Sequence, residues 1–148
     1  MAIDKIIRQL VRERAKFLCE YCHSPEWSSA DLFTLDHLLP QSLGGSDQLD
    51  NLALACRRCN ERRYNFTTGI DLETGLETQL FQPRKQLWAE HFIWADEGIK
   101  IINLTSTGRA TCNRLDLNDE LHNDRFIQRA RRFWIQGGWH PPTEDPHQ

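Results

Sequence analysis

Four of the five cysteines in this 148-residue chain form two pairs of equal spacing, Cys19-Glu20-Tyr21-Cys22 and Cys56-Arg57-Arg58-Cys59, 33 residues apart. Two pairs of thiolates from separate knuckles are what a closed, tetrahedral zinc site requires, and such a site keeps no open position for a substrate. The fold must therefore bring the two knuckles together. The opening Met1-Ala2-Ile3-Asp4-Lys5-Ile6-Ile7-Arg8 turns charged before an export signal could form, and no apolar run is long enough for a bilayer. The expected location is the cytoplasm, without a membrane, where disulfides are disfavoured. A thioredoxin-type role for either pair is a minor alternative, because no βαβ pattern surrounds them. Cys19 to His23 also spells the CxxCH of c-type haem attachment. That use calls for an oxidising compartment and an axial methionine, yet the only methionine is Met1. His23 is thus read as a polar residue beside the knuckle, and unpaired Cys112 as a small buried apolar one.

Hydrophobic residues make up 39% and charged ones 26%, the balance of one globular domain and not of a disordered tail. Net charge is −3, and the acid excess lies wholly in residues 67–148. Taken alone, that charge speaks against a general polyanion binder, but local patches can still grip phosphate. One patch is Arg57, Arg58, Arg62 and Arg63; the other, Arg125, Arg129, Arg131 and Arg132, reads as a solvated helix face. Apolar periodicity predicts a helix over 3–18, and Phe33 to His37 has strand composition. Leu52 to Ala55 leads into the second knuckle, and Cys59 to Tyr64 opens a helix. Residues 67–87 read as a connecting segment with turns at Gly69 and Gly75. His91 to Trp94 and Ile99 to Leu104 read as a hairpin, followed by helices over 107–117 and 119–136 and a loose Pro-rich tail.

Between the knuckles runs Asp36-His37-Leu38-Leu39-Pro40, then Gly44-Gly45, then Asp50-Asn51-Leu52, and Asn60 follows the last cysteine. In this order of CxxC, DHxxP, GG, DNL and CxxCN the sequence resembles the HNH endonuclease family, of the zinc-stapled ββα-metal type, over about residues 14–66. Arg63 stands where that family commonly has Lys, which keeps the charge but changes the geometry of a phosphate contact. Phe81-Gln82-Pro83-Arg84, Thr107-Gly108-Arg109-Ala110-Thr111 and Gly138-Trp139-His140-Pro141-Pro142 are similar to an extension of stand-alone bacterial members.

Phosphodiester hydrolysis needs an attacking water, a base effective near pH 7 and positive charge on the leaving oxygen. His37 is the residue suited to be that base. Adjacent strand residues face opposite ways, so Asp36 can share a metal with that site only if the strand twists or bulges. The resemblance implies that Asp36 and Asn60 hold one catalytic Mg²⁺ or Mn²⁺, that Asn51 orients the His37 ring, and that the zinc at Cys19, Cys22, Cys56 and Cys59 is structural. Arg58, Arg62 and Arg63 are then the candidate contacts to nucleic acid. Taken singly, each residue has an ordinary role: Asp36-His37 as a structural pair, Asn60 as a helix cap, Asn51 as a turn residue. Their joint spacing favours the catalytic set. His91, His122, His140 and His147 have no such company and read as core or surface, and Trp88, Trp94, Trp134 and Trp139 as core.

The expected architecture is α+β: a ββα-metal core stapled by a four-cysteine zinc site, with flanking helices and a C-terminal hairpin-plus-helix extension. Residues 1–66 would form the N-terminal helix and core, and 67–148 an extension packed on it. The expected function is metal-dependent hydrolysis of DNA. Its rival is a zinc-knuckle module that binds nucleic acid without cutting, and a third possibility is a zinc-stabilised protein-interaction domain.

Overall fold

The computed structural model describes residues 3–147. Asp4 caps the first helix, α1 (Lys5–Arg14), by accepting the Ile6 N–H at 2.6 Å. Val11, with Ala15 just beyond the helix, enters the core, and Ile3 and Ile7 pack against it. The helix ends at Arg14, short of the expected residue 18, because Lys16 and Phe17 both take left-handed backbone angles. Leu18 then bridges to Pro25 across the first knuckle. Strand pairing within the knuckle has claimed residues that periodicity assigned to the helix.

Strands β1 (Thr34–His37) and β2 (Leu52–Ala55) pair antiparallel in regular register, from Thr34 opposite Ala55 to His37 opposite Leu52. All four residues of β2 are fully buried. The loop between the strands closes through Gly44, at φ 89°, and Gly45, where a Cβ would run into the Leu39 carbonyl. Glycine is required at both positions for these reasons. Helix α2 (Arg57–Arg63) follows β2 directly, and its N-cap is the first cysteine of the second knuckle: Cys56 Sγ accepts the Cys59 N–H at 3.4 Å.

Residues 67–80 are not a plain connection. They form a second hairpin, β3 (Thr68–Ile70) with β4 (Glu77–Gln79). Of the two expected turn glycines only Gly75 turns; Gly69 lies within β3, where a Cβ would sit 2.9 Å from the Ala110 carbonyl oxygen. Strands of three residues carry too little alternation to be read. A single helical turn, α3 (Trp88–His91), leads into the third hairpin, β5 (Phe92–Ala95) with β6 (Lys100–Asn103). Helix α4 (Ser106–Leu115) is capped by Thr105, and α5 (Phe126–Gln136) closes the order.

The expected helix over 119–136 begins only at Phe126. Asp116, Asp119, Asn123, Asp124 and Arg125 all adopt positive φ. Asp116 accepts the N–H groups of Glu120 and Leu121, and Asp119 that of Ile127. Short acidic side chains have taken backbone donors that a helix would have used. Arg131 corrects the solvated-face reading of the second arginine cluster. It is fully buried, donating to the carbonyls of Ile99 and Leu117 and to Asn118 Oδ1 at 2.6–2.9 Å. Burial lowers its pKa to about 10, so it remains charged at neutral pH.

The tail is held, not loose. His140 is buried and donates Nε2–H to the Gly98 carbonyl at 2.8 Å, while His147 donates to the Ala15 carbonyl at 2.7 Å. Trp88 and Trp134 are buried, whereas Trp94, Trp139 and Cys112 are half-buried. The extension meets the first knuckle through Trp88, whose Nε1 donates to the Tyr21 carbonyl at 2.9 Å, and through Arg84 paired with buried Glu20. Among the described residues no helix is long and apolar enough to cross a membrane.

Candidate functional site

The two knuckles converge. The Sγ atoms of Cys19, Cys22, Cys56 and Cys59 lie within 4.8 Å of one another, all buried. Cys22 and Cys56 are 3.6 Å apart. Zinc–sulfur bonds of about 2.3 Å in a tetrahedron put sulfurs about 3.8 Å apart, so the cluster has the dimensions of a zinc site. Burial pushes the Cys19 thiol well up, and hydrogen bonding with the neighbouring thiols pushes Cys59 up too. Hydrogen bonds from the other three hold Cys22 low. Without a cation among them, four buried thiols this close cannot all ionise. Arg58 lies alongside, its Nη1 3.9 Å from Cys22 Sγ.

Next to this staple, the end of β1, the following loop and the C-terminal half of α2 enclose a cleft of about 300 Å³. Asp36, His37 and Asn60 line it together, with Gln41 and Tyr64. The His37 ring is half-buried, and its Nε2 is 2.7 Å from Asp47 Oδ1. A carboxylate can only accept, so Nε2 carries the proton and Nδ1 keeps the lone pair. The hydrogen bond from His37 holds the Asp47 carboxyl below the ordinary carboxylate range. Gln41 Nε2 donates to the same oxygen at 3.1 Å.

Asn51 does not reach His37. Its side chain accepts the Leu39 N–H and donates to the carbonyls of Leu39 and Ser46, at 2.8–3.1 Å. It therefore knits the loop that carries Asp47, and its effect on His37 is indirect. The direct orienting partner, Asp47, escaped the sequence reading. Its one signal was an acidic residue in the loop that follows Gly44-Gly45, and Asp50 lies in the same loop.

Asp36 is 4% exposed on a strand that pairs in regular register, and it lines the same cleft as His37 without the bulge that the alternation of strand side chains called for. Tyr21 Oη donates to its Oδ2 at 2.8 Å, and Arg63 Nη1 donates to Oδ1 and Oδ2 at 3.1 and 3.0 Å. Burial raises its pKa, against the pull of Arg63 and Tyr21. With about four lone-pair sites on a carboxylate, these three bonds leave one on Oδ1. The Asn60 side chain makes no hydrogen bond among the described residues, and it stands one turn beyond Cys56 at the cleft. One carboxylate lone pair and one amide oxygen are hard donors suited to Mg²⁺ or Mn²⁺ with water completing the shell.

The arginines are occupied within the molecule. Arg63, 3% exposed, pairs with Asp36 and also donates to the carbonyls of His37 and Leu38. Arg62 donates to the carbonyls of Leu115 and Asp116 and, at 2.8 Å, to Asp119. Arg58 meets the same Asp119 at 2.7 Å. The three expected phosphate contacts are thus engaged within the molecule: Arg58 and Arg62 tie α2 to the segment after α4, and Arg63 ties it to β1 and the loop that follows. Burial pushes the Asp119 carboxyl up, but hydrogen bonds from Arg58 and Arg62 outweigh it, leaving it below its ordinary range. A depressed carboxyl adds stability above its unfolded pKa that fades as pH falls toward the folded one. Asp119→Ala strands two cations and should cost about 3 kcal/mol, the low end for a broken buried pair because both arginines keep some water. Urea unfolding at pH 7 measures that loss, and the gap from wild type should narrow below about pH 4.

Residues 19–66 match the family model described as HNH endonuclease. The knuckles, the β1–β2 hairpin and α2 are therefore an HNH-family domain within an α+β chain. No curated protein and no solved structure matches the chain.

Proposed function

We propose that the chain is a metal-dependent nuclease that hydrolyses DNA phosphodiester bonds in the cleft between β1 and α2. The observation that carries this reading is the His37–Asp47 pair at 2.7 Å, in the same cleft as Asp36 and Asn60. His37, held by Asp47 in one tautomer, accepts the proton of an attacking water at Nδ1. Asn60 and the remaining Asp36 lone pair would hold Mg²⁺ or Mn²⁺. A divalent cation bound there supplies positive charge to the phosphate and its leaving oxygen. Zinc at the four cysteines fixes the start of α2, and hence Asn60, relative to β1 and His37. Arg63 positions Asp36 and the chain after β1.

A second reading, a nucleic-acid-binding module that does not cut, has its own support in the Asp36–Arg63 pair. A guanidinium already neutralises the carboxylate that a catalytic cation would need. The two readings part in a plasmid assay. Supercoiled DNA incubated with the purified protein and Mg²⁺ or Mn²⁺ should be nicked or linearised, and EDTA should stop the reaction. Salt-sensitive DNA retention with no cleavage in either metal would favour the binding module.

A further inference from the structure

His23 follows the last cysteine of the first knuckle and is 1% exposed. Its ring stacks on Trp88, with centroids 4.2 Å apart and planes 29° from parallel. Among the described residues neither Nδ1 nor Nε2 has a hydrogen-bond partner. A buried imidazole normally satisfies both nitrogens, so an orphaned one signals a missing partner. Two side chains of the tail that could meet that need lie close by. The His147 ring lies edge-on to His23 at 4.9 Å between centroids. One ligand atom each from His23, Asp145 and His147 lie within 4.8 Å of one another.

Asp145 and His147 are already set in place. Asp145 Oδ2 accepts the Ala89 N–H at 3.1 Å, and Oδ1 accepts the His147 N–H at 2.9 Å. His147 Nε2 is 2.7 Å from the Ala15 carbonyl, which can only accept, so the proton is on Nε2 and the lone pair on Nδ1. A histidine whose second nitrogen donates to a backbone carbonyl is the usual arrangement of a metal ligand. Two imidazoles and one carboxylate are the donors of a zinc-type ion, since Mg²⁺ and Ca²⁺ prefer oxygen.

We propose that His23, Asp145 and His147 form a second metal site, for Zn²⁺ or a similar transition ion, that fastens the C-terminal tail to the first knuckle. It uses none of the four cysteines and none of the cleft residues. Three protein ligands leave one position to water or an exogenous group. The site couples the order of the tail to metal supply, while the cysteine cluster holds the core whether or not the tail is docked.

The test uses the full chain, saturated with Zn²⁺, freed of excess by gel filtration and measured for bound metal by elemental analysis. Wild type should hold about two Zn²⁺ per chain, and His147→Ala and Asp145→Ala about one each. Both variants change half-buried tail residues, so they keep the core and can be checked by circular dichroism. His23→Ala is the less informative variant because it adjoins Cys22. As an independent readout, Ni²⁺ should displace zinc from the weaker site and quench tryptophan fluorescence through Trp88, and His147→Ala should lose that quenching. One zinc in wild type, or equal metal content and equal quenching in folded wild type and His147→Ala, would overturn the proposal.

Discussion

Cys56→Ser, or zinc removal by a strong chelator, should unfold the N-terminal half of the molecule cooperatively. Each strand of the β1–β2 hairpin has four residues, and α2 has seven. Isolated hairpins are marginal in water, and helices this short do not persist alone. Cys56 has two tasks, capping α2 through Sγ and contributing to the four-thiol cluster, so its loss removes the cap and opens the cluster together. Apparent zinc-binding energies in finger peptides are roughly 10–16 kcal/mol at pH 7, as large as the entire net stability of a domain, about 5–15 kcal/mol. Chelation should therefore remove the share of the far-ultraviolet helical signal that α1 and α2 contribute and shift the fluorescence of buried Trp88. Added Zn²⁺ should restore both; Mg²⁺ should not, because thiolates are poor ligands for a hard ion. His147→Ala must behave differently, losing one metal with little change in the melt. A metal-free protein that melts like the zinc-loaded one would refute the staple.

The staple and the hairpin beneath it were legible because their signals are local. Equal CxxC spacing names the four thiols that cluster, and a run such as Leu52-Ala53-Leu54-Ala55 carries its burial in its composition. The polar partners were not legible, because they depend on where distant segments land. Arg62 and Arg63 read as a phosphate patch from their neighbours in sequence, yet Asp119, 57 residues beyond Arg62, and Asp36, 27 residues before Arg63, meet them in space. Arg131 likewise read as solvated until the chain folded three polar acceptors around it. Asp47 and Asp50 share one loop, and only the closure through Gly44 and Gly45 decides which of them faces His37. His23 read as a polar neighbour of a cysteine, whereas its burial depends on Trp88 from the extension. Periodicity and motif spacing record what a residue is for its own segment. The identity of its partner is a property of the whole topology.

The same pairing distinguishes chemistry from scaffolding at the cleft. His37→Ala should lower DNA cleavage roughly 100- to 10,000-fold, the usual worth of a positioned general base, while zinc content, melting and DNA affinity stay close to wild type. The ring is half-buried at the rim of the cleft, and its one side-chain hydrogen bond runs to Asp47 on an exposed loop, so its removal leaves no buried group stranded. Asp47→Asn should cause a smaller loss in the same direction, because it leaves the ring in place but weakens the hold on the proton at Nε2. Asn60→Ala differs in kind: it removes a proposed cation ligand, so raising Mg²⁺ or Mn²⁺ should recover part of the activity. Excess metal should do nothing for His37→Ala, where the missing function is proton acceptance. Arg63→Ala stands apart again, since it strands Asp36 at 4% exposure and should unsettle the fold before it affects the chemistry. A purely structural Asp36-His37 pair predicts instead that His37→Ala loses stability, binding and cleavage together. Measured on one folded preparation of each variant, wild-type cleavage by His37→Ala would remove His37 from the reaction and return the cleft to the reading in which DNA is held but not cut.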